Sequence, residues 1–135
     1  MNFHNIFNFN LVNTETINAK WLVDKKVALD ILRLDKIHPV VSGNKWFKLK
    51  YYLQHATSLH KTTVATFGGA WSNHIAAVAF ACKESALKSA GIIRGEQPGV
   101  LSETLKKAVE YGMELHFVSR EEYRKKELIT QKFDR

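Results

Sequence analysis

The sequence predicts a three-layer α/β fold, a small parallel sheet flanked by helices, and three observations carry that prediction. From residue 62 onward, short apolar or β-branched runs alternate with helix-length amphipathic runs in the order strand, helix, strand, helix, strand, helix. Glycine-bearing turns follow the first two strands, at Gly68-Gly69 and at Gly95 to Gly99. The 135 residues are 45% hydrophobic and 24% charged, a globular balance in a chain long enough to bury a core.

Taken in order, residues 1 to 16 are rich in Asn and Phe without a period and read as an extended arm with room for one edge strand. Lys26 to Asp35 reads as a strand, with Val27, Leu29, Ile31 and Leu34 as its apolar members. Lys36-Ile37-His38-Pro39 breaks that pattern. Asn44 to Thr57 is expected to be helical, because Trp46, Leu49, Leu53 and Ala56 recur at helical spacing behind a cap at Ser42 or Asn44. Thr62 to Phe67 is a short β-branched strand. Ser72 to Glu84 follows as a helix whose face of Ile75, Val78, Ala79 and Cys82 is small enough to sit close on a sheet.

Leu87 to Arg94 is the next strand, and Leu101 to Tyr111 a helix stopped by Gly112. Glu114 to Val118 is the last strand. Ser119-Arg120-Glu121-Glu122 has the form of a capping box that opens the final helix. The alternation implies right-handed crossovers.

The net charge of +7 invites a nucleic-acid reading, but the basic residues are spread along the whole length. The densest group, Arg124-Lys125-Lys126, directly follows Glu121 and Glu122, which marks a solvated helix face rather than a nucleic-acid footprint. The same balance suits a small anionic ligand. Cys82 is the only cysteine, so the chain can form no internal disulfide and no cysteine zinc cluster, and it reads as packing on its helix. His55 and His60 lie off a shared helical face with no third ligand, so no metal site is expected. Trp21, Trp46 and Trp71 are expected in the core or lining a cleft. The apolar run from Ile75 to Cys82 is too short to span a membrane, and the first residues lack a signal-peptide pattern, so no membrane role and a cytoplasmic setting are expected.

Chemistry concentrates in two places. Thr66-Phe67-Gly68-Gly69-Ala70-Trp71-Ser72-Asn73-His74 runs from a strand into a helix start, the part of a parallel α/β sheet where ligands bind. Its glycines permit close approach, the helix start offers free N–H groups, and Ser72 and Asn73 add side-chain donors, a set suited to a carboxylate or phosphate. An ordinary turn with an N-cap has the same composition, and both readings stand at this point. It is neither a Walker loop nor the dinucleotide fingerprint, because the glycine spacing and the Gly-Lys-Ser/Thr ending are absent.

The second place is V-V-S-G-N-K-W-F-K-L-K-Y-Y. Lys45 stands at the start of a helix, the positive end, where an ammonium is electrostatically misplaced and an amine nucleophile is less so. Lys48, three residues on, shares its face, and the two would repel unless an anion or an aldehyde sits between them. A solvated lysine pair is the plain alternative.

Together, S-G-N-K-W-F-K-L-K-Y and T-F-G-G-A-W-S-N-H closely resemble the 1-aminocyclopropane-1-carboxylate deaminase/D-cysteine desulfhydrase family. L-D-K-I-H-P before the first motif and G-I-I-R-G-E after the second follow in the same order, and the resemblance runs from about Lys26 to Lys126. It implies a pyridoxal 5'-phosphate enzyme, a deaminase or lyase, of the tryptophan synthase β-like fold type II. By that resemblance Lys45 is the Schiff-base lysine and Lys48 helps hold the cofactor phosphate. Asn73 lies beside the cofactor ring hydroxyl, and Ser72 meets the substrate carboxylate as a catalytic and binding residue. Asn73 and His74 complete the substrate side, and His74, where deaminase-type members tend to carry Gln, leans towards the desulfhydrases.

Phe47, where many relatives carry Arg, and Leu34-Asp35-Lys36, where Lys-Arg-Glu-Asp is usual, depart from the pattern. The implied reactions are D-cysteine to pyruvate, sulfide and ammonia, or 1-aminocyclopropane-1-carboxylate to 2-oxobutyrate and ammonia. The implied partners are a small amino-acid substrate and, for the complete enzyme, a homodimer.

The same resemblance makes the fold incomplete. Residues 1–59 correspond to the N-terminal part of the large cofactor domain and residues 60–135 to the small parallel α/β domain. The family's glycine-rich phosphate cup, ring-nitrogen partner and catalytic tyrosines belong to a later part of a complete chain, and the stretch after Val118 contains no glycine. Two other readings therefore stand beside the enzyme. One is a non-catalytic fragment with an exposed apolar face at Trp46, Leu49 and Leu53; the other is a small α/β module binding an anion through Gly68 to Asn73.

Overall fold

A computed structural model describes residues 6–133, leaving the side chains of Lys132 and Phe133 aside. After a 3-10 turn at Phe9–Leu11 come β1 (Thr14–Thr16), α1 (Lys20–Asp24) and β2 (Asp30–Leu32), with β1 and β2 paired antiparallel. A second 3-10 turn, Leu34–Ile37, leads to α2 (Lys45–Ser58). Then follow β3 (Thr63–Gly69), α3 (Asn73–Glu84), β4 (Lys88–Arg94), α4 (Glu103–Glu110), β5 (Met113–Val118), α5 (Arg120–Arg124) and α6 (Lys126–Phe133). β3, β4 and β5 form a parallel sheet in that order, as the alternation predicts.

Strand alternation sorts the sheet into two faces. Thr66, Gly68, Gly91, Ile93, Met113 and Leu115 share one face by register, and on it Ile93 joins Ile75, Val78, Cys82 and Leu105 of α3 and α4 in the core. Phe67, Ile92 and His116 share the other, where Tyr123 of α5 meets the Phe67 ring edge-on at 5.7 Å. The sheet therefore lies between helices. α3 is buried almost all round, because Ala76, Ala77 and Ala81 are covered as well as the expected apolar face. Its alanines let the backbone approach the sheet, and Gly68 completes the fit: a Cβ there would lie 2.5 Å from Ile75 Cγ1.

The capping box forms as expected, with Ser119 Oγ accepting from Glu122 N and Glu122 accepting from Ser119 N. It opens α5 only, and the chain breaks at Lys125 before α6. Gly112 stands at φ +87°, a conformation that suits glycine after a helix. Cys82 is fully buried, and that burial pushes its thiol up to about 12, which fits packing.

Three expectations fail. The strand expected over Lys26 to Asp35 is confined to Asp30–Leu32, and Val27, Leu29 and Ile31 are exposed. β2 has a single strand partner and no covering layer among the described residues, so its alternation buries nothing. The apolar face at Trp46, Leu49 and Leu53, expected to be exposed in a fragment, is buried, with Trp46 at 4%. α2 lays that face on α3 and β3, and Phe7 stacks on Trp46 at 4.0 Å. Of the three tryptophans only Trp46 is core. Trp21 and Trp71 are 61% and 78% exposed and line neither cleft beside α2, since α1 buries only Leu22 and Trp71 stands at the tip of the β3–α3 turn. The arm expected over residues 1 to 16 falls partly outside the described residues; within them it supplies β1 as an edge strand and a buried Phe7.

Candidate active site

The first residues of α2 and α3, Lys45 and Asn73, line one cleft. α2 begins at Lys45 behind a tight turn in which Gly43 takes φ +68° and donates its N–H to Leu34 O at 3.1 Å. The left-handed conformation is what glycine supplies there. Asn44 is the N-cap but makes no capping bond with its side chain. Lys45 is half-buried, and its Nζ donates to Ser42 O at 3.3 Å with no carboxylate partner among the described residues. Lys48, one turn on, is exposed.

α3 starts from the β3–α3 turn. Ser72 is its N-cap, with extended backbone and no capping bond from its hydroxyl, so that hydroxyl is not spent on the helix. Asn73 opens the helix and is exposed, and His74 follows, half-buried. The turn is tied from outside by Ser102, whose Oγ donates to Ala70 O and also accepts from Leu105 N at 3.2 Å, capping α4. One buried hydroxyl thus fixes the turn against the next helix.

Lys45 and Asn73 face one cleft of about 240 Å³, with Ser42, Thr104 and Lys107 also on its wall. Glu103 is the acidic group on that wall, and it is held by Lys106 at 2.7 Å, which also keeps its carboxyl below the usual range. Lys48 and His74 line a larger cleft of about 360 Å³, mostly apolar, between α2, α3 and β3. There His74 Nε2 is 2.9 Å from Thr66 Oγ1. Burial pushes the His74 imidazole below its ordinary value of 6.5, and Lys45 and Lys48 push the same way. His74 is therefore neutral, and it senses both lysines.

The structure thus brings Lys45 together with Asn73, and Lys48 with His74, on the two sides of the α2–α3 contact. Ser72 sits directly before them. The donor set is an amine, a second cation, an amide, a hydroxyl and a neutral imidazole. The amine and the amide share one cleft and suit a group that carries an aldehyde, while the second cation and the imidazole line the other. Ser102 was missed by sequence reasoning, and Thr66 and Gly43 stood inside the two motifs without a role of their own. Gly43 alone left a signal, a glycine just before a helix start. Ser102 bonds across 32 positions of chain, and nothing local announces it. Phe47, the departure from the family pattern, meets Phe9 edge-on at 6.4 Å and touches neither cleft.

No protein-family model matches the chain. A Thermotoga maritima protein, provisionally named a 1-aminocyclopropane-1-carboxylate deaminase, is 40% identical over 105 residues, which is 77% of this chain and 32% of that protein. An Arabidopsis thaliana protein named a mitochondrial bifunctional D-cysteine desulfhydrase/1-aminocyclopropane-1-carboxylate deaminase is 37% identical over 89 residues, 62% of this chain and 22% of the relative. A crystal structure of an ACC deaminase homologue superposes with a TM-score of 0.67 at 24% identity, over 79% of this chain and 32% of that one, so the fold is shared. The chain spans about a third or less of the length of the curated relatives it matches. The resemblance read from the two lysine and glycine motifs is borne out, as is the α/β class. Among the described residues, no helix is long and apolar enough to cross a membrane.

Proposed function

We propose that this chain supplies the lysine side of a pyridoxal-phosphate site in a D-cysteine desulfhydrase/1-aminocyclopropane-1-carboxylate deaminase-like enzyme acting on a small amino acid. The observation that carries the reading is the meeting of Lys45 and Asn73, from two different helix starts, in one cleft; Lys48 and His74 line the second cleft, across the α2–α3 contact. When bound, the cofactor would supply an electron sink for a carbanion at the substrate Cα.

The residues of the chain divide the remaining work. Lys45 Nζ is the amine that would hold the aldehyde carbon covalently, and once released it would hold a proton near Cα. Lys48 would balance phosphate charge as an exposed ammonium, a role that needs no fixed geometry. The Asn73 amide would orient the ring oxygen, and the uncommitted Ser72 hydroxyl would donate to the substrate carboxylate. His74, neutral and bound through Nε2 to Thr66, would present Nδ1 to the substrate. Residues 1–59 are assigned to the large cofactor domain and 60–135 to the small one. Turnover of D-cysteine or the cyclopropane amino acid, and a homodimeric state, are proposed for the complete enzyme.

The test is to titrate the chain with pyridoxal phosphate, reduce with borohydride, and follow the reduced adduct by absorbance, with Lys45→Ala in parallel. The reading predicts adduct in the original and at least about a tenfold loss in the variant. Equal adduct in both would reject cofactor binding at Lys45. Retention of phosphate or carboxylate binding in that case would favour the anion-binding module.

A further inference from the structure

L-D-K-I-H-P was singled out in the sequence, and the proposed function gives it no role. We propose that His38 is a positioning residue for Lys45: through Nδ1 its neutral imidazole accepts the backbone N–H groups of both Val40 and Val41, and so fixes the turn that delivers Lys45 to the cleft. The proposal rests on reading Lys45 as the aldehyde-binding amine.

The geometry is specific. Pro39 has no N–H to give, so Val40 and Val41 carry the first donors after His38, and each lies 3.1 Å from the same Nδ1. A ring nitrogen accepts only while it carries a lone pair, which requires the neutral tautomer protonated at Nε2. The ring is clamped, with Phe80 at 4.5 Å on one side and Phe7 edge-on at 5.4 Å. Two routes then lead to Lys45. Along the chain, Val41 is fully buried, Gly43 is pinned to Leu34 O, and Ser42 O receives the Lys45 ammonium. Across space, Phe7 stacks on Trp46, the residue next to Lys45.

The charges around the ring decide what acid does to it. Glu84 of α3 favours the imidazolium, but burial outweighs it and holds His38 below its ordinary 6.5. Lys36, the nearest charge along the chain, is engaged by Glu15 at 2.6 Å and Asn13 at 3.0 Å. Phe7, Phe80 and Trp46 bring no charge, and the Tyr111 ring lies beyond Phe80 at 5.3 Å. When Nδ1 takes a proton, both N–H groups lose their acceptor and face a donor instead. The turn must then rearrange, and Lys45 moves with it.

The test is amide exchange at Val40 and Val41 in the full chain, normalised to intrinsic rates, alongside the His38 ring titration by NMR and borohydride-trapped adduct at Lys45. In the original chain both amides should be protected at about pH 7 and lose at least about tenfold protection on acidification, in step with the ring. His38→Asn, whose side-chain oxygen can accept in place of Nδ1, should keep the protection, remove the acid step and retain Lys45 adduct. His38→Leu should lose both protection and adduct. Amides that exchange freely at neutral pH, or protection that ignores the ring titration, would overturn the lock, and wild-type acidification tests this even if His38→Leu does not fold. Protection lost in His38→Leu with Lys45 adduct unchanged would overturn the positioning role. No adduct at Lys45 in the original chain would also overturn that role and sink the cofactor reading, while the protection data still tell whether the two hydrogen bonds exist.

Discussion

β2 and β4 both carry isoleucine, and they fold to opposite ends of the burial scale. In β4, Ile92 and Ile93 are fully buried, because the strand has neighbours on both sides and helices over both faces. In β2, Ile31 is 44% exposed, because it pairs only with β1 and carries no layer among the described residues. What fastens the β1–β2 pair is polar. Arg33 bonds Glu15 and Asp35, Lys36 bonds Glu15 at 2.6 Å, and Thr16 bonds Asp30 at 2.6 Å. An apolar alternation states which face of a strand wants cover, and only the rest of the fold supplies it. The candidate site lies between these two regimes. Lys45 arrives from the lightly covered side on a turn that the core pins, and Asn73 from the densely packed one.

The difference in cover between β2 and β4 should show most strongly in stability. Ile93→Ala should cost about 2–5 kcal/mol in urea unfolding, while Ile31→Ala should stay within about 0.5 kcal/mol. Equal costs would mean that β2 is covered after all. Next in size, Gly68→Ala should cost about 1–3 kcal/mol, since the new methyl collides with Ile75, which the core cannot release. Gly69→Ala, whose added carbon meets nothing within 4 Å, should be within about 0.5 kcal/mol by the same assay.

Acid should act more gently. His38 and His74 are both held below 6.5, chiefly by burial, so their contribution to stability is full above 6.5 and is lost as pH falls through the lowered values. Thermal unfolding between about pH 7 and pH 5 should show this fall, and His38→Asn should flatten part of it. The smallest effect belongs to the β1–β2 pair. Glu15→Gln should lower stability only slightly and lose most of that effect in high salt, because its half-buried partners still reach solvent. A large, salt-resistant loss would show that the ion cluster, not the core, anchors the N-terminal part.

Much of the fold was legible because its signals are local. The strand–helix alternation from residue 62, the Ser119–Glu122 capping box and the stop at Gly112 all depend on neighbours within a few residues, and all three appear. Coverage was not legible, since whether Leu29 and Ile31 meet another layer depends on distant chain. Trp71 shows the same limit: an aromatic side chain reads as core or cleft lining, and its place at a turn tip leaves it 78% exposed. Of the site, Lys45, Lys48, Ser72, Asn73 and His74 were readable as two motifs, and the structure places those motifs at two helix starts that line one cleft. The groups that hold them were not readable. Thr66 meets His74 only because β3 turns its side chain to the α3 face, and Ser102 and His38 act through backbone atoms that no residue pattern encodes.

Whether Lys45 is the amine that the fold presents is tested directly by peptide mapping. The chain is mixed with pyridoxal phosphate at low ratio, reduced with borohydride, digested, and searched for the pyridoxyl mass on each lysine. The label is expected on Lys45 well above every other lysine, Lys48 included. Label spread evenly over the exposed lysines, with Lys45 no richer than the rest, would contradict that expectation.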